Sequence, residues 1–563
     1  MPAAGGVGTG GPPVAVRAQR VRAHRTVAGR VRAGYPDPDR STQMIRAPQT
    51  GHTSLSGAVA HWADTRPNAI ALRCGETTLT WSELDDAMTR FGVLLLDRGV
   101  RRGDRVVLLG ENSLEWVVAF LGCQRAHVIV VPMNTRLAQS QVVAQVVKVD
   151  AQLVLHDAGL GGTDLAALTG AQCLELSALL REMSSSSAES VAASDHSEEA
   201  EVPALISFTS GTTGTPKGAV ISSAAMAELA YAFSDYFETG PDDSTLIVVP
   251  IFHNTGFADQ LAHMVASGGT TSLLRRYRTG DAAAELMAHP ATFLAAVPSM
   301  LRMLMLHDEA DAIFSGVRAI MYGGSAMPEA WVQELQQRWP HLKLVHAYGL
   351  SEFTSVCTFL PSDLAATKAE SVGLPLPGVQ LRIVDESGDD VAPGGLGEVW
   401  LSGPTRMLGY WDEPRLTAEK MTGQWLRTGD VGRIDGDGLL WLHGRADDVI
   451  NRGGEKIMPT FVESHIARHE TVAAACAFGY ADDILQQRVA VAIETRAGTA
   501  FDEQELVGFL RTCLPDYAIP DRWVVYDALP LNASGKFDRK ALRADFEAAL
   551  RPKSIDHKQE RAK

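Results

Sequence analysis

A loop rich in glycine and hydroxyl residues, with one lysine, is the part of this sequence best suited to chemistry. It follows the apolar run 204–208, which predicts a buried strand, so it should lie at the carboxyl edge of a sheet, where α/β folds bind ligands. Glycine lets a ligand approach the backbone, hydroxyl groups add hydrogen-bond donors and lysine adds positive charge. The pattern predicts a polyphosphate-binding loop made of Thr209, Ser210, Gly211, Thr212, Thr213, Gly214, Thr215, Pro216, Lys217 and Gly218.

The P-loop pattern G-x-x-x-x-G-K-[ST] does not describe this loop. Pro216 stands where the second glycine is needed, and Gly218 stands where a hydroxyl residue would hold magnesium. A loop of this composition is, by itself, a solvated turn about as often as a binding site. Its interpretation therefore depends on the rest of the chain.

Three more apolar runs, 246–249, 318–322 and 342–346, each lead into a polar loop. If these runs form parallel strands, their loops emerge at the same edge of the sheet as the glycine-rich loop. The sequence therefore predicts a composite cleft for a nucleotide and a second substrate. The residues it would gather are His253, Gly323, Gly324, Ser325, Tyr348, Ser351 and Glu352.

Some of these residues suggest roles by their chemistry. Tyr348 offers an aromatic face to a purine, and Glu352 offers a carboxylate that could hold Mg²⁺ against phosphates. Asp430, at the end of the turn 428–430, could accept hydrogen bonds from both hydroxyls of a ribose. Each turn alone is more often an ordinary surface turn, so the combination carries the prediction.

Six motifs follow one another in an order and spacing that resemble the adenylate-forming superfamily. This superfamily comprises acyl- and aryl-CoA synthetases, firefly luciferases and peptide-synthetase adenylation domains, and the chain resembles the acyl-CoA synthetases most closely. The resemblance covers roughly residues 55–545. The motifs are 209–218, His253 with its loop, 348–352, 428–430, 444–457 and 532–536.

The resemblance implies roles in the nucleotide site. Residues 209–214 and Lys217 would hold the β- and γ-phosphates of ATP, while Thr212 and Glu352 would hold the magnesium ion. Tyr348 would stack on adenine, and Asp430 would bind the ribose. Ser351 stands where the family more often has threonine, and it keeps the hydroxyl donor. The remaining nucleotide-binding residues would be Gly323, Gly324, Ser325 and Arg445.

Other roles implied by the resemblance concern a moving domain. Lys536 would be the catalytic lysine of adenylation, and Asp447 would be the hinge. Gly453 and Gly454 would let the pantetheine arm of coenzyme A pass close to the backbone. His253 would act as a gate between the carboxylate pocket and the thiol tunnel.

The implied activity is an acyl-CoA synthetase that uses ATP, Mg²⁺, a carboxylic acid and CoA. An acyl-adenylate would form first, and the thiol of CoA would then displace AMP. Alternatives are a ligase that loads a separate acyl carrier protein, an enzyme specialised for one half-reaction, and a non-catalytic adenylate-binding relative. The acid stays open among fatty, alicyclic, aromatic and polyketide-like acids, with candidate lining residues Asn254, Thr255, Phe257, Val297, Ser299 and Met321.

Length and composition set the organisation that must position these residues. With 563 residues the chain needs more than one domain. We expect an α/β fold with a large multi-layer N-terminal domain at 51–446 and a small mobile α+β lid at 447–548. Residues 1–50 and 549–563 should be disordered tails, residues 1–43 should be dispensable, and Met44 is an alternative start.

Charge and cysteine content exclude several classes of protein. The net charge of −16 argues against a nucleic-acid partner, and no apolar run approaches the roughly 20 residues of a membrane span. The six scattered cysteines suit a reducing compartment. We therefore expect a cytoplasmic enzyme, with a homodimer left open.

Overall fold

The computed structural model describes residues 54–160, 162–185, 202–209, 216–324, 327–453, 455–482, 484–532 and 536–550. The chain up to Arg445 forms a large α/β domain, and the chain after it forms a smaller α+β domain with its own sheet. The predicted fold class is therefore confirmed. Residues 1–50 and 551–563 of the expected tails lie outside the described residues, whereas residues 549 and 550, expected in the second tail, belong to the last helix of the C-terminal domain.

The first of the two large sheets of the large domain is mixed. Its central strands run parallel, and strands such as Phe293–Ala296 are buried along their whole length because helices cover both faces. The strands are β1 (Ile70–Cys74), β2 (Thr77–Thr80), β9 (Ser244–Ile247), β10 (Thr270–Leu273), β11 (Phe293–Ala296), β12 (Ala319–Gly323), β13 (Lys343–Gly349), β14 (Val356–Leu360) and β15 (Leu374–Pro375). Their order across the sheet is β15-β14-β13-β12-β11-β9-β10-β1-β2.

A second mixed sheet carries the glycine-rich loop. The strands are β3 (Arg105–Leu109), β4 (Ile129–Pro132), β5 (Leu153–His156), β6 (Gln172–Glu175), β7 (Pro203–Thr209), β8 (Lys217–Ser222) and β18 (Gly409–Tyr410). Their order across the sheet is β18-β8-β7-β4-β3-β5-β6. The apolar runs 104–110 and 127–131, with a helical pattern between them, predict a βαβ unit. Strands β3 and β4 are parallel and are joined by the helix Leu114–Arg125, so this prediction is confirmed.

Asn112 followed by Glu115 predicts a capping box at the start of that helix, and the structure differs by one residue. Ser113, not Asn112, caps it by accepting a hydrogen bond from the backbone N–H of Trp116. Asn112 instead donates to the carbonyls of Val249 and Leu274 at 2.9 Å and accepts from the Ile251 N–H at 2.7 Å. It therefore ties the end of β3 to the segment that leads to His253.

Helices cover the faces of both sheets, and the buried apolar side chains between them form the main core. The longer helices of the large domain are Leu55–Thr65, Trp81–Asp97, Leu114–Arg125, Gln139–Lys148, Gly162–Thr169, Leu176–Ser185, Ser223–Phe237, Thr279–Ala288, Pro298–Met305 and Glu329–Arg338. Shorter ones are Asn254–Gly256, His263–Ser267, Ala310–Ser315 and Pro414–Lys420, and a π-helical turn spans Phe257–Ala262. None of the described helices has the length and apolar character needed to cross a membrane.

A smaller antiparallel sheet ends the large domain. It consists of β16 (Gln380–Val384), β17 (Gly397–Ser402), β19 (Met421–Thr422), β20 (Trp425–Ile434) and β21 (Leu440–Arg445). The hairpin of β20 and β21 pairs Asp430 with Arg445 across the strands. This register brings two predicted nucleotide residues together by backbone pairing alone.

The C-terminal domain has its own apolar core. Its strands are β22 (Ile450–Arg452), β23 (Glu455–Ile457), β24 (Val472–Asp482), β25 (Gln486–Thr495) and β26 (Arg522–Tyr526), and its helices are Pro459–Ile466, Glu503–Leu510 and Arg539–Leu550. Arg539 donates to Asp448 at 2.9 Å and to Glu463 at 2.7 Å, so it fixes the segment after Arg445 to the body of this domain. All six cysteines are free thiols, as expected.

Candidate active site

The glycine-rich loop connects two antiparallel strands. Thr209 and Lys217 pair across the base of this hairpin, and β7 is parallel to β4, so the loop leaves the carboxyl end of the sheet as predicted. A strand follows the loop, whereas a P-loop continues into a helix. Helix-dipole stabilisation of phosphate from that source is therefore absent here. Ser210, Gly211, Thr212, Thr213 and Gly214 lie outside the described residues.

Lys148 holds the end of the loop. Its ammonium donates to the Pro216 carbonyl at 3.2 Å and to the Glu413 carboxylate at 2.8 Å. Lys148 and, to a smaller extent, Lys217 lower the pKa of Glu413. No sequence pattern singles out Lys148, because a lysine in the last turn of a helix is usually solvated.

The predicted adenine and ribose residues are in direct contact. The Tyr348 hydroxyl donates to Oδ2 of Asp430 at 2.5 Å, and Arg445 donates to Oδ1 at 2.9 Å and to the Thr428 carbonyl at 2.9 Å. Because a carboxylate has about four acceptor positions, Asp430 can still accept from two ribose hydroxyls. Asp430 is thus held in place before any nucleotide binds.

The charges of this cluster support the same arrangement. Burial, and then the Asp430 carboxylate, raise the pKa of Tyr348 well above its usual value, so the hydroxyl remains a donor. Burial opposes the charge of Arg445, but Asp430, and more weakly Glu352, raise its pKa. Glu352 therefore lies within electrostatic reach of Arg445.

Glu352 is a suitable magnesium ligand. One carboxylate oxygen accepts from the Tyr410 hydroxyl at 2.7 Å, and the Glu352 carbonyl accepts from the Met407 N–H at 2.9 Å. No cluster of three potential metal-ligating side chains occurs among the described residues. Mg²⁺ commonly uses one or two carboxylates together with substrate phosphates and water, so a single positioned glutamate fits this ion.

Asn254 connects the glycine-rich loop's strand to the Glu352 loop. It accepts from the Ser207 hydroxyl at 3.2 Å and donates to the Thr354 carbonyl at 2.5 Å. Its amide also contacts the Ser351 hydroxyl at 3.4 Å. The sequence named Asn254 only as a pocket-lining candidate. Its network depends on strands that are distant in sequence, which no local pattern reveals.

His253 precedes this helical segment and is neutral at physiological pH. Burial, with a contribution from Arg136, lowers its pKa to about 4. Its ring packs against Phe252, with ring centroids 4.5 Å apart. A neutral aromatic side chain is compatible with the predicted gate, which stays a prediction. Phe257, in contrast, is fully buried against Phe120 in the core, so it does not line an open pocket.

Lys536 comes from the C-terminal domain to the same cluster. Its backbone N–H donates to Oδ1 of Asn532 at 3.1 Å, and its carbonyl accepts from the Asn532 N–H at 2.7 Å, so Asn532 fixes the backbone of Lys536. Partial loss of water and the nearby Arg445 lower the pKa of Lys536, whereas Asp430 raises it. These influences place the ammonium near the ribose-binding pair, although no described residue hydrogen-bonds to it.

Three of the predicted glycines, Gly323, Gly324 and Gly453, lie where the backbone requires a glycine. A Cβ atom on Gly323 would stand 2.7 Å from the Ala347 carbonyl oxygen, and Gly324 has a φ of +79°. Gly453 has a φ of +59° and donates to the Leu485 carbonyl at 2.8 Å. The backbone therefore explains these glycines without a ligand.

Asp447 lies in the short turn 446–448 between the two domains, as a hinge residue should. Its side chain is not described, and Ser325 and Gly454 lie outside the described residues.

Comparison with known proteins agrees with this geometry. A family model described as "AMP-binding enzyme" matches residues 59–411, and one described as "AMP-binding enzyme C-terminal domain" matches residues 462–536. An indoleacetate–CoA ligase of Aromatoleum aromaticum is 29% identical, over 87% of this chain and 97% of its own. A feruloyl-CoA synthase of an Amycolatopsis species is 30% identical, over 85% and 96%. A fatty acid–[acyl-carrier-protein] ligase of Streptomyces coeruleorubidus is also 30% identical, over 86% and 95%.

Solved structures are similar over the same span. The o-succinylbenzoate CoA synthetase of Bacillus subtilis, in complex with its acyl-adenylate intermediate, is 28% identical with a TM-score of 0.80, over 86% of this chain and 97% of its own. The same synthetase in complex with ATP and magnesium ion is 27% identical with a TM-score of 0.77, over 86% and 98%.

Proposed function

This chain belongs to the AMP-binding enzyme family and is an AMP-forming ligase of carboxylic acids and CoA, and we propose that the cleft between its two domains carries out both halves of the reaction. The observation that carries the proposal is the position of Lys536. A lysine of the small domain lies near Asp430 and Arg445 of the large domain. This arrangement fits the adenylation half.

In the first half-reaction, a carboxylate oxygen of the acid attacks the α-phosphorus of ATP. The bond from that phosphorus to its bridging oxygen breaks, and pyrophosphate leaves with the electron pair. Asp430 and Tyr348 hold the nucleoside, and residues 209–214 with Lys217 hold the leaving phosphates. The Lys536 ammonium stabilises negative charge that grows on the oxygens around the reacting phosphorus.

Glu352 would hold Mg²⁺, which supplies positive charge beside the phosphates when it is bound. The rest of the chain positions that carboxylate. Tyr410 donates a hydrogen bond to one of its oxygens. Asn254 contacts the Ser351 hydroxyl before Glu352 and donates to the Thr354 carbonyl after it.

In the second half-reaction, the C-terminal domain turns about Asp447 and withdraws Lys536. The segment that begins at Gly453 then faces the large domain, and pantetheine passes along Gly453 and Gly454. The thiol gives its proton to solvent and its sulfur attacks the acyl carbon. The bond from that carbon to the phosphate oxygen breaks, and AMP leaves with the electron pair. His253, neutral at physiological pH, opens the path for the thiol without adding a charge.

A panel of carboxylic acids tests the proposal. Each acid is incubated with ATP, Mg²⁺ and CoA, pyrophosphate is quantified and products are identified by mass. We expect pyrophosphate and a thioester together for the accepted acids. Adenylate without thioester would mean that the chain is specialised for the first half-reaction.

A second candidate acceptor is an acyl carrier protein, which the similarity to the fatty acid–[acyl-carrier-protein] ligase supports. The same reactions are run with CoA or with a phosphopantetheinylated carrier protein. Intact-mass analysis that finds acyl groups only on the carrier would favour this candidate. Transfer to CoA in its absence favours the first.

A further inference from the structure

Glu413 is a negative charge that the proposed mechanism does not use. It directly precedes the helix Pro414–Lys420, and the Thr417 hydroxyl of that helix donates to the Glu413 carbonyl at 2.9 Å, which holds its backbone. The Glu413 side chain is 40% exposed. A carboxylate close to a phosphate site repels the phosphates and attracts the cations that should bind them. It therefore works against nucleotide binding unless another residue neutralises it.

Backbone pairing brings Glu413 to Lys217, the lysine proposed to hold phosphate. Strand β8 begins at Lys217 and pairs antiparallel with β18. The pairing continues for one more residue, because the Trp411 N–H donates to the Gly218 carbonyl at 2.8 Å. The chain therefore reaches Glu413 at the end of the ladder where β8 starts, and the charge of Lys217 acts on the Glu413 carboxylate.

Lys148 neutralises this carboxylate. Its ammonium donates to Oε1 of Glu413 at 2.8 Å and to the Pro216 carbonyl at 3.2 Å, and its side chain is only 21% exposed. The hydrogen bond from Lys148 is the largest influence on the pKa of Glu413, which it lowers, so the carboxyl group is ionised at neutral pH. Among the described residues, Lys148 is the one ion-pair partner of Glu413, and none forms an ion pair with Lys217.

Arg105 fixes the two segments that carry this pair. It donates to the carbonyl of Val149, the residue after Lys148, at 2.7 Å, and its guanidinium lies over the Trp411 ring, 5.5 Å from the ring centroid. Lys148 is also the last residue of its helix, where the helix dipole favours a cation. The ion pair of Lys148 and Glu413 is therefore positioned from both sides, unlike a pair of freely rotating surface side chains.

We propose that Lys148 is a positioning residue for adenylation, which keeps Glu413 from pairing with Lys217 and so leaves the Lys217 ammonium available to the β- and γ-phosphates of ATP. The inference rests on the proposed function, because that function assigns Lys217 to the phosphates. Two cations and one carboxylate leave one positive charge without a partner, and this charge belongs to Lys217. Without Lys148, Glu413 pairs with Lys217 and competes with the phosphates.

Nucleotides that differ only in their phosphates test the inference. Calorimetry gives the dissociation constants of ATP, with Mg²⁺, and of AMP, which lacks the β- and γ-phosphates. Lys148→Met should weaken ATP binding by about fivefold, the upper end of the range for a partly exposed ion pair, and should leave AMP binding unchanged. Lys148→Gln replaces this variant if it does not fold. Equal weakening of ATP and AMP would show that Lys148 only supports the fold of the nucleotide site, and would overturn the inference.

Two double variants separate competition for Lys217 from a general change of charge. Lys148→Met with Glu413→Gln removes both members of the ion pair and should bind ATP as the wild type does. Lys148→Met with Lys217→Met should bind ATP no more weakly than Lys217→Met alone, because Glu413 then has no phosphate-binding lysine to occupy. A loss of ATP affinity caused by Lys148→Met that persists in either double variant would overturn the inference.

Lys368→Met is the matched control. The Lys368 ammonium lies 3.8 Å from Asp435 and 3.7 Å from Asp437 in the same domain, and its loss should change the binding of neither nucleotide. Nucleotide binding is measured without acid or CoA, so its outcome is separate from that of the proposed function. An unchanged ratio of ATP to AMP affinity in Lys148→Met, together with thioester formation by the wild type, would refute this inference alone. A wild type that binds ATP but forms neither adenylate nor thioester with any acid would count against the proposed function alone.

Discussion

The two domains contribute to the candidate site in different ways. In the large domain the site residues bind one another: Tyr348 and Arg445 hold Asp430, and Tyr410 holds Glu352. In the C-terminal domain the backbone of Lys536 is fixed by Asn532, but no described residue hydrogen-bonds to the Lys536 ammonium. The half of the site in the large domain is rigid before ligands bind. The half in the C-terminal domain is the Lys536 ammonium, whose backbone alone is held.

This difference suggests a division of labour. Residues that are already hydrogen-bonded lose little entropy when a nucleotide arrives, so the large domain is suited to binding. A lysine ammonium that no described residue hydrogen-bonds can leave the site without breaking such bonds, so it is suited to one step of a reaction that needs two arrangements. The comparison predicts binding defects from changes in the large domain and rate defects from changes in the C-terminal domain.

The largest effect is expected for Lys536→Ala. Adenylation, measured as pyrophosphate release without CoA, should fall by about 10²–10³, the usual effect of removing one donor to charge that develops in a transition state. ATP affinity should change little, and thioester formation from a pre-made acyl-adenylate should be preserved. Lys540→Ala, an exposed lysine of the same domain, is the control. Equal damage to both half-reactions would contradict the proposed withdrawal of Lys536.

The second prediction concerns binding by the large domain. Asp430→Ala should weaken ATP binding by about 1.5–3 kcal/mol, the range for hydrogen bonds to a charged group. Calorimetry measures the affinity. Asp437→Ala is the control, because Asp437 lies in the turn of the same hairpin and its side chain is 73% exposed. An unchanged affinity in Asp430→Ala would mean that this carboxylate only orients Arg445 and Tyr348.

The third prediction tests how the rigid half is kept rigid. Asn254→Ala removes hydrogen bonds to Ser207 and to the Thr354 carbonyl. Each is typically worth about 0.5–1.5 kcal/mol, so losing both should slow adenylation by roughly 5–150-fold while Asp430-dependent ATP binding is retained. A parallel loss of ATP affinity would show that the loop and the nucleoside site are coupled.

The sequence predicted the parts of the site that local patterns encode. Apolar runs located β7, β9, β12 and β13, and the polar loops after them do lie at strand ends, because a parallel sheet forces this arrangement. The hairpin that pairs Asp430 with Arg445 likewise follows from strand register.

What the sequence could not predict depends on contacts between distant segments. Asn112 resembled a helix cap but joins two sheets, and Lys148 resembled a solvated lysine but holds the end of the glycine-rich loop. Asp259 resembled an ordinary helical polar residue, but it lies in a π-helical turn whose six residues are all buried, and no local pattern reveals that burial.

The smallest predicted effect sharpens the comparison from the side of the C-terminal domain. The Asp482 carboxylate accepts from the backbone N–H groups of Ile484 and Leu485, and the Leu485 carbonyl in turn holds the Gly453 N–H. Asp482→Ala should therefore loosen the turn proposed for pantetheine. Thioester formation from a pre-made acyl-adenylate should slow by about 2–10-fold, the effect of one or so ordinary hydrogen bonds, with adenylation unaffected.

The contribution of Asp482 to the stability of the fold should depend on pH, because it depends on the charge of the carboxylate. Hydrogen bonds from the Leu485 N–H and from Arg488 lower its pKa to about 2. A lowered pKa in the folded protein gives stability that is complete above the ordinary value near 4 and is lost as the pH falls toward 2. The difference in melting temperature between wild type and Asp482→Ala should thus stay constant from pH 8 to about pH 5, because the carboxylate is ionised throughout this range. A difference that shrinks already between pH 7 and 5 would show that the turn does not hold an ionised Asp482, and the link from this residue to Gly453 would then fail.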